Sequence, residues 1–170
     1  MTVRRVVLCA LLIVIAVIVE VTVLAPLDFP GATPSLVLVV VAALAFAFGP
    51  TTGAACGFAA GLFLNLAPPT TATLGISSLI LTVIGYALGR VFDSDTRPLM
   101  LITLLTSGAA ALSILAGAAL GGLLGNPRIV WGDVPVLILT AALYAAILAL
   151  LVIPVVNRLS RAFVPEAYPR

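Results

Sequence analysis

Long apolar segments without charge most constrain what this chain can fold into. No charged residue occurs between Asp28 and Arg90, and of the 170 residues 63% are hydrophobic and 8% charged. An ordinary soluble domain has about 25% charged residues, so this chain has too few to cover a surface in water. Together with a mean hydropathy of +1.34, this composition predicts an integral membrane protein whose helices satisfy their own backbone polar groups in lipid.

Prolines, glycines and short polar turns divide the apolar sequence into six predicted transmembrane helices. They span about 6–25, 34–48, 50–66, 74–89, 98–124 and 135–156. The predicted fold class is therefore all-α, a polytopic membrane bundle. Residues 1–170 form a single membrane domain, because the connecting segments are too short to build another core. Arg4 and Arg5 before the first apolar run are also typical of a signal peptide, but Pro26 follows the only suitable cleavage point, which favours a retained helix.

The second and third predicted helices are short, roughly 22 and 25 Å at 1.5 Å per residue, against a hydrocarbon core of about 30 Å. They are either two crossings joined at Gly49 and Pro50 or one interrupted element. If both cross, one side of the membrane holds Arg4, Arg5, Arg90, Arg97, Arg158, Arg161 and Arg170. Only Arg128 is then left opposite. The positive-inside rule favours this six-crossing arrangement with both termini cytoplasmic, and the short helices then need a thinner bilayer or shielding by neighbours.

A stripe of small residues at every fourth position marks the third predicted helix. This glycine stripe consists of Gly49, Gly53, Gly57, Gly61 and Asn65. Gly85 and Gly89 repeat the spacing beside Tyr86 in the next helix. Each glycine costs a soluble helix about 1 kcal/mol relative to alanine, but in a membrane it allows close approach of another helix. The stripe therefore predicts either packing within this bundle or an interface for a partner helix.

Residue types needed for most catalytic sites are missing. The chain has no histidine and no lysine, which excludes Ser-His and Cys-His pairs, histidine metal ligands, a Walker lysine and a Schiff base. Cys9 and Cys56 lie inside apolar segments, where we expect neither a disulfide framework nor a metal site. Asp93 and Asp95 are typical of a solvated turn. The arginines sit at helix ends, so we predict a non-enzymatic protein without cofactor, metal or nucleic acid.

Glu20 is the single charge within the first predicted helix. A carboxylate at mid-bilayer costs roughly 2.5 to 3.5 kcal/mol on insertion scales, so Glu20 either reaches the interface or faces a cavity. In the six-helix arrangement Glu20 and Asn65 both lie toward the outer face. The hydroxyls of Thr70, Thr71 and Thr73 lie there as well, and a small polar pocket at this face is one hypothesis.

The segment from Pro34 to Arg90 contains the successive stretches PSLVLVVVAALAFAFG, GAACGFAAGLFLN and LGISSLILTVIGYALGR. In these stretches the chain resembles the MreD family of bacterial rod shape-determining membrane proteins. Its more specific part is the order GxxxGFxxGLxxN, a loop, LG, and a GYxxGR ending. Family members usually have an aspartate where this chain has Asn65. The last two predicted helices match the family in hydropathy alone.

The resemblance implies a non-enzymatic protein of the bacterial inner membrane that binds the periplasmic scaffold MreC. Members of the family belong to the elongation machinery, which couples MreB filaments to peptidoglycan synthesis by RodA and a class B penicillin-binding protein. The resemblance also implies a six-helix fold similar to the substrate-binding subunits of energy-coupling-factor vitamin transporters.

That second similarity supplies the alternative function, a substrate-binding membrane subunit of such a transporter. A subunit of this kind would use Glu20 or Asn65 as pocket residues. It would stack its ligand on aromatic groups, of which the chain offers Trp131 and three tyrosines.

Overall fold

A computed structural model describes residues 3–27, 31–66, 75–91, 98–125 and 131–163 of the chain. These residues form six α-helices and no strand, so the predicted all-α class is confirmed. The helices are α1 (Val3–Val19), α2 (Leu36–Phe48), α3 (Pro50–Leu66), α4 (Ile76–Val91), α5 (Leu99–Leu123) and α6 (Val134–Phe163). Some residues used in the sequence interpretation lie outside the described ranges: Thr70, Thr71, Thr73, Asp93, Asp95, Arg97, Arg128 and Arg170.

The ends of α1 and α6 differ most from the predicted boundaries. α1 continues through a π-helical turn, Glu20–Leu24, and a 3₁₀ turn, Ala25–Leu27. α6 runs to Phe163 and does not end at about residue 156, although it contains Pro154. Proline removes one backbone hydrogen bond, but packing against neighbouring helices allows transmembrane helices to continue through it.

α2 lies at the centre of the bundle and packs against all five other helices. Every residue from Val37 to Ala45 is buried. The helix has no polar face because each of its sides meets another helix, as expected for a segment that is apolar all round. Its 13 residues give a length of roughly 20 Å. Neighbouring helices therefore enclose this short helix on all sides.

Side-chain contacts show that successive helices run in opposite directions. The Arg5 guanidinium near the start of α1 lies 4.8 Å from the centre of the Phe48 ring at the end of α2. In the α5–α6 pair, the Ser107 hydroxyl donates to the Ala142 carbonyl at 2.8 Å. Trp131, just before α6, lies beside Gly122 near the end of α5. The bundle thus consists of three antiparallel pairs, α1–α2, α3–α4 and α5–α6.

Because successive helices alternate in direction, the starts of α1, α3 and α5 and the ends of α2, α4 and α6 lie on one side of the bundle. That end carries the arginines of the described segments whose side chains are placed, Arg4, Arg5, Arg90 and Arg158. We call it the basic end; the opposite end contains Glu20 and Asn65. Three segments, Val3–Leu27, Leu99–Leu123 and Val134–Ser160, are long and apolar enough to cross a membrane.

Candidate functional site

The glycine stripe of α3 packs directly on the backbone of α4. A Cβ atom added to Gly53 would overlap the carbonyl oxygen of Gly85, and one added to Gly85 would overlap the carbonyl oxygen of Gly53. One added to Gly57 would overlap the Leu81 carbonyl oxygen in the same way. At these positions the two main chains touch without intervening side chains. Glycine is the residue that permits such an approach.

The same interface continues to both ends of α3. Near the end of α3, a Cβ at Gly61 would overlap backbone atoms of Ser78. At the start of α3, a Cβ at Gly89 would come within 2.5 Å of the Pro50 Cα and 2.7 Å of the Gly49 carbonyl carbon. The contacts therefore follow the whole helix, and α4 occupies the face on which a partner helix would otherwise dock.

Gly49 differs from the other members of the stripe because it lies in the turn between α2 and α3. Its φ of 87° is in the left-handed region, and its N–H closes α2 on the Ala45 carbonyl. A Cβ at Gly49 would meet no atom within 4 Å. Backbone conformation, and not close packing, is therefore the reason for glycine here.

Asn65 makes a polar contact where the α3–α4 interface ends, opposite the basic end of the bundle. Its side chain is 3% exposed, and its Nδ2 donates to the Ser78 hydroxyl oxygen at 3.5 Å. This long hydrogen bond gives the buried amide a partner on the facing helix. Asn65 thus acts within the bundle, as do the glycines that precede it.

Tyr86 lies away from this interface although it is adjacent to Gly85 in sequence. Its side chain is 46% exposed. Leu79 and Val83 are also exposed, and at positions seven and three residues before Tyr86 they share its side of α4. We call Leu79, Val83 and Tyr86 the outer face of α4. It is apolar apart from the tyrosine hydroxyl.

Glu20 binds the start of the central helix. Its Oε2 accepts a hydrogen bond from the Val37 N–H at 2.7 Å, and the Ser35 side chain and the Leu36 N–H are also within reach of the carboxylate. The first N–H groups of a helix have no partner within it, and a carboxylate there is favoured by the helix dipole. Glu20 therefore caps α2 from another helix.

The π-helical turn of α1 begins at this glutamate. The turn spans Glu20–Leu24, and such single π-helical turns occur within α-helices, often at functional sites. A second contact holds the segment that leads into α2. The Thr140 hydroxyl of α6 accepts a hydrogen bond from the N–H of Ala32 in that segment at 3.0 Å. The chain entering α2 is thus held by side chains of α1 and α6.

Glu20 and Asn65 lie at the same end of the bundle but have separate partners. Glu20 is bonded to α2 and Asn65 to α4. Within the described segments no hydrogen bond joins these two side chains. Each of these side chains thus makes a hydrogen bond between helices.

Three further contacts were not predicted from the sequence. They are Arg5 with Phe48, Thr140 with Ala32, and Cys9 with Cys56. For Thr140 the available signal was a single hydroxyl near the start of an otherwise apolar helix. The other two pairs join residues more than 40 positions apart, so spacing could not reveal them. Across the described ranges, no group of three or more acidic, histidine or cysteine side chains could hold a metal ion.

No family model, curated protein or solved structure matches this chain significantly.

Proposed function

We propose that this chain is a non-enzymatic membrane component of the bacterial cell-elongation machinery, of the MreD type. Its role would be to bind the scaffold MreC, and so to take part in rod shape determination and in control of peptidoglycan synthesis. The observation that carries this proposal is that the two motifs behind the resemblance form one packing unit. The glycines of GxxxGFxxGLxxN lie on the α4 backbone, and those of GYxxGR lie on α3. The motifs are two halves of one interface, not unrelated glycine pairs.

All six helices cross the bacterial inner membrane in this proposal, with both termini in the cytoplasm. The basic end supports the orientation, because cytoplasmic segments carry an excess of arginine and lysine. The burial of α2 supports a crossing by a helix this short, since protein and not lipid surrounds it. The wider partners are MreB, RodA and a class B penicillin-binding protein.

The outer face of α4 is the surface that we propose for the MreC transmembrane helix. The glycine stripe is covered by α4, so a partner helix cannot reach it without displacing α4. The outer face of α4 is exposed and adjoins this interface, and its Tyr86 supplies an aromatic group of the kind enriched in interfaces. Docking there would extend the α3–α4 pair by a third helix.

Site-specific photocrosslinking tests the proposal. A photoreactive residue is placed at Val83 and, as a matched control, at Leu143 of α6, because both side chains are 59% exposed. With full-length MreC co-expressed in the same membrane, we expect a crosslinked product from position 83 and none from position 143. Co-purification of the two unmodified proteins is measured in parallel. Failure of the two proteins to co-purify would overturn the proposed function, whereas co-purification with crosslinking at position 143 alone would overturn the proposed surface.

The transporter alternative has less support. Its pocket residues would be Glu20 and Asn65, and both are bonded within the bundle. Trp131, the single tryptophan, lies against Gly122. We therefore propose only the MreD-type function. Retention of a vitamin through purification would favour the transporter function.

A further inference from the structure

Two cysteines from different helices meet within the bundle core. Cys9 of α1 is 6% exposed and Cys56 of α3 is 5% exposed. Neither is in a disulfide. The two thiols are close enough to influence each other, their helices α1 and α3 are in contact, and both residues belong to the continuous apolar core. They are the only cysteines of the chain.

The packing of α1 explains why Cys9 and Cys56 lie at a similar depth in the bundle. Arg5 lies over Phe48, the last residue of α2, and α3 begins two residues later at Pro50. One turn beyond Arg5 along α1 is Cys9, and Cys56 lies within the second turn of α3. These positions correspond to depths of roughly 6 and 9 Å along the helix axes. Because α1 and α3 run in the same direction and are in contact, the two cysteines lie at a similar level of the bundle.

The surroundings of this pair favour an oxidant from the lipid phase over one from water. Both thiols are covered by apolar side chains of the core, which a charged, water-soluble thiol such as glutathione enters poorly. Ala10 and Ala55, their exposed neighbours in sequence, carry small side chains. A flat apolar molecule in the bilayer can thus approach the α1–α3 contact closely.

We propose that Cys9 and Cys56 form a reversible disulfide that joins α1 to α3, with a lipid-soluble quinone as the two-electron acceptor. The two S–H bonds break and one S–S bond forms. The two electrons and two protons reduce the quinone to the quinol, so atoms and charge balance. Reduction by a dithiol that reaches the pair reverses the step through a mixed disulfide. The bond fixes α1 covalently near the basic end, while Glu20 holds it at the other end.

Mass spectrometry of the full chain in liposomes tests this inference. Liposomes containing the reduced protein are incubated with a short-chain ubiquinone or with its quinol, then denatured and treated with N-ethylmaleimide. After the quinol we expect two maleimide adducts on each chain. After the quinone we expect none, a mass lower by two hydrogen atoms, and a return to two adducts after dithiothreitol. The variants Cys9→Ser and Cys56→Ser should each retain one adduct under both conditions.

Two outcomes would overturn the inference. Two maleimide adducts on each chain after incubation with the quinone would exclude the quinone as oxidant. If diamide also leaves both thiols free, the two cysteines are not positioned to form the disulfide. A disulfide-linked dimer on a non-reducing gel, in place of the intramolecular product, would show that the thiols react between chains. The proposed binding of MreC is tested separately and does not depend on either result.

Discussion

Gly53 of α3 and Gly85 of α4 face each other so closely that a side chain on either one would overlap the carbonyl oxygen of the other. The contact is reciprocal and lies one turn from the start of an interface that follows α3 from Pro50 to Asn65. The free energy of this interface comes from backbone packing, for which the space at each glycine is required. Membrane helices associate through such packing because lipid supplies no hydrophobic force to drive them together.

Gly57→Ala is expected to destabilise the protein by about 1 to 3 kcal/mol, the usual cost of an added group in a tightly packed core. The new Cβ would overlap the Leu81 carbonyl oxygen, which as part of a helix backbone cannot easily move. Gly108→Ala in α5 is the matched control, because a Cβ there meets no atom within 4 Å. Unfolding in mixed micelles of detergent and dodecyl sulfate measures both variants. Equal stability of the two would contradict the close contact.

Glu20→Ala should lower stability more than Glu20→Gln. Alanine leaves the Val37 N–H without its partner at the buried start of α2, which costs about 1 to 3 kcal/mol. Glutamine keeps an oxygen that can accept this hydrogen bond but loses the charge that the helix dipole favours. Unfolding in the same micelles ranks the variants.

The control for Glu20 is Thr22→Ala. It removes an exposed hydroxyl that bonds to the carbonyl of its own helix at Ile18, and we expect little change. If Glu20→Ala is as stable as Thr22→Ala, the carboxylate does not cap α2.

Asn65 and Ser78 should show coupled effects on stability. A double-mutant cycle with Asn65→Ala and Ser78→Ala is expected to give a coupling energy of about 0.5 to 1.5 kcal/mol, as for a single buried hydrogen bond. The 3.5 Å separation favours the lower part of that range. Strictly additive losses would show that the two side chains do not interact.

Asn65→Asp tests the difference from the MreD pattern. An aspartate at this site can accept a hydrogen bond from the Ser78 hydroxyl, so the contact can be kept with the direction of donation reversed. We expect the variant to insert and to co-purify with MreC as the parent chain does. Loss of insertion would mean that the buried site requires the amide.

The six-crossing arrangement predicts that both termini and the segment 92–97 share the cytoplasm. Alkaline phosphatase fused at any of these positions should be inactive, whereas a fusion within 126–130 should be active, because the enzyme matures outside the inner membrane. An active fusion within 92–97 would show that α2 and α3 count as one crossing.

Local sequence signals were sufficient to predict the helices. Pro50 and the following apolar residues gave the bounds of α3, because proline suits the first position of a helix. The passage of α6 through Pro154 was not predictable in the same way, since it depends on neighbours that supply packing. Apolar length and proline position report on local structure, and tertiary contacts then set the helix ends.

The sequence does not show which residue each polar or small side chain contacts. Glycines at every fourth position indicate close approach but do not say which helix approaches, so the stripe also allows an interface with a second protein. For Glu20 the sequence predicts a position at the membrane interface or facing a cavity, but it does not reveal the partner. That partner is a backbone group 17 positions away, which becomes a neighbour when α1 and α2 fold together.

In the proposed six-crossing arrangement, the burial of α2 also bears on how the chain enters the membrane. A segment of 13 residues is shorter than the roughly 17 residues usually needed to span the bilayer, and it has no charged anchor at either end. Insertion machinery that inserts segments one at a time would therefore insert α2 inefficiently on its own. Biogenesis is therefore expected to deliver α2 together with α1 or α3, and a nascent chain arrested after Gly49 should be a substrate for membrane proteases.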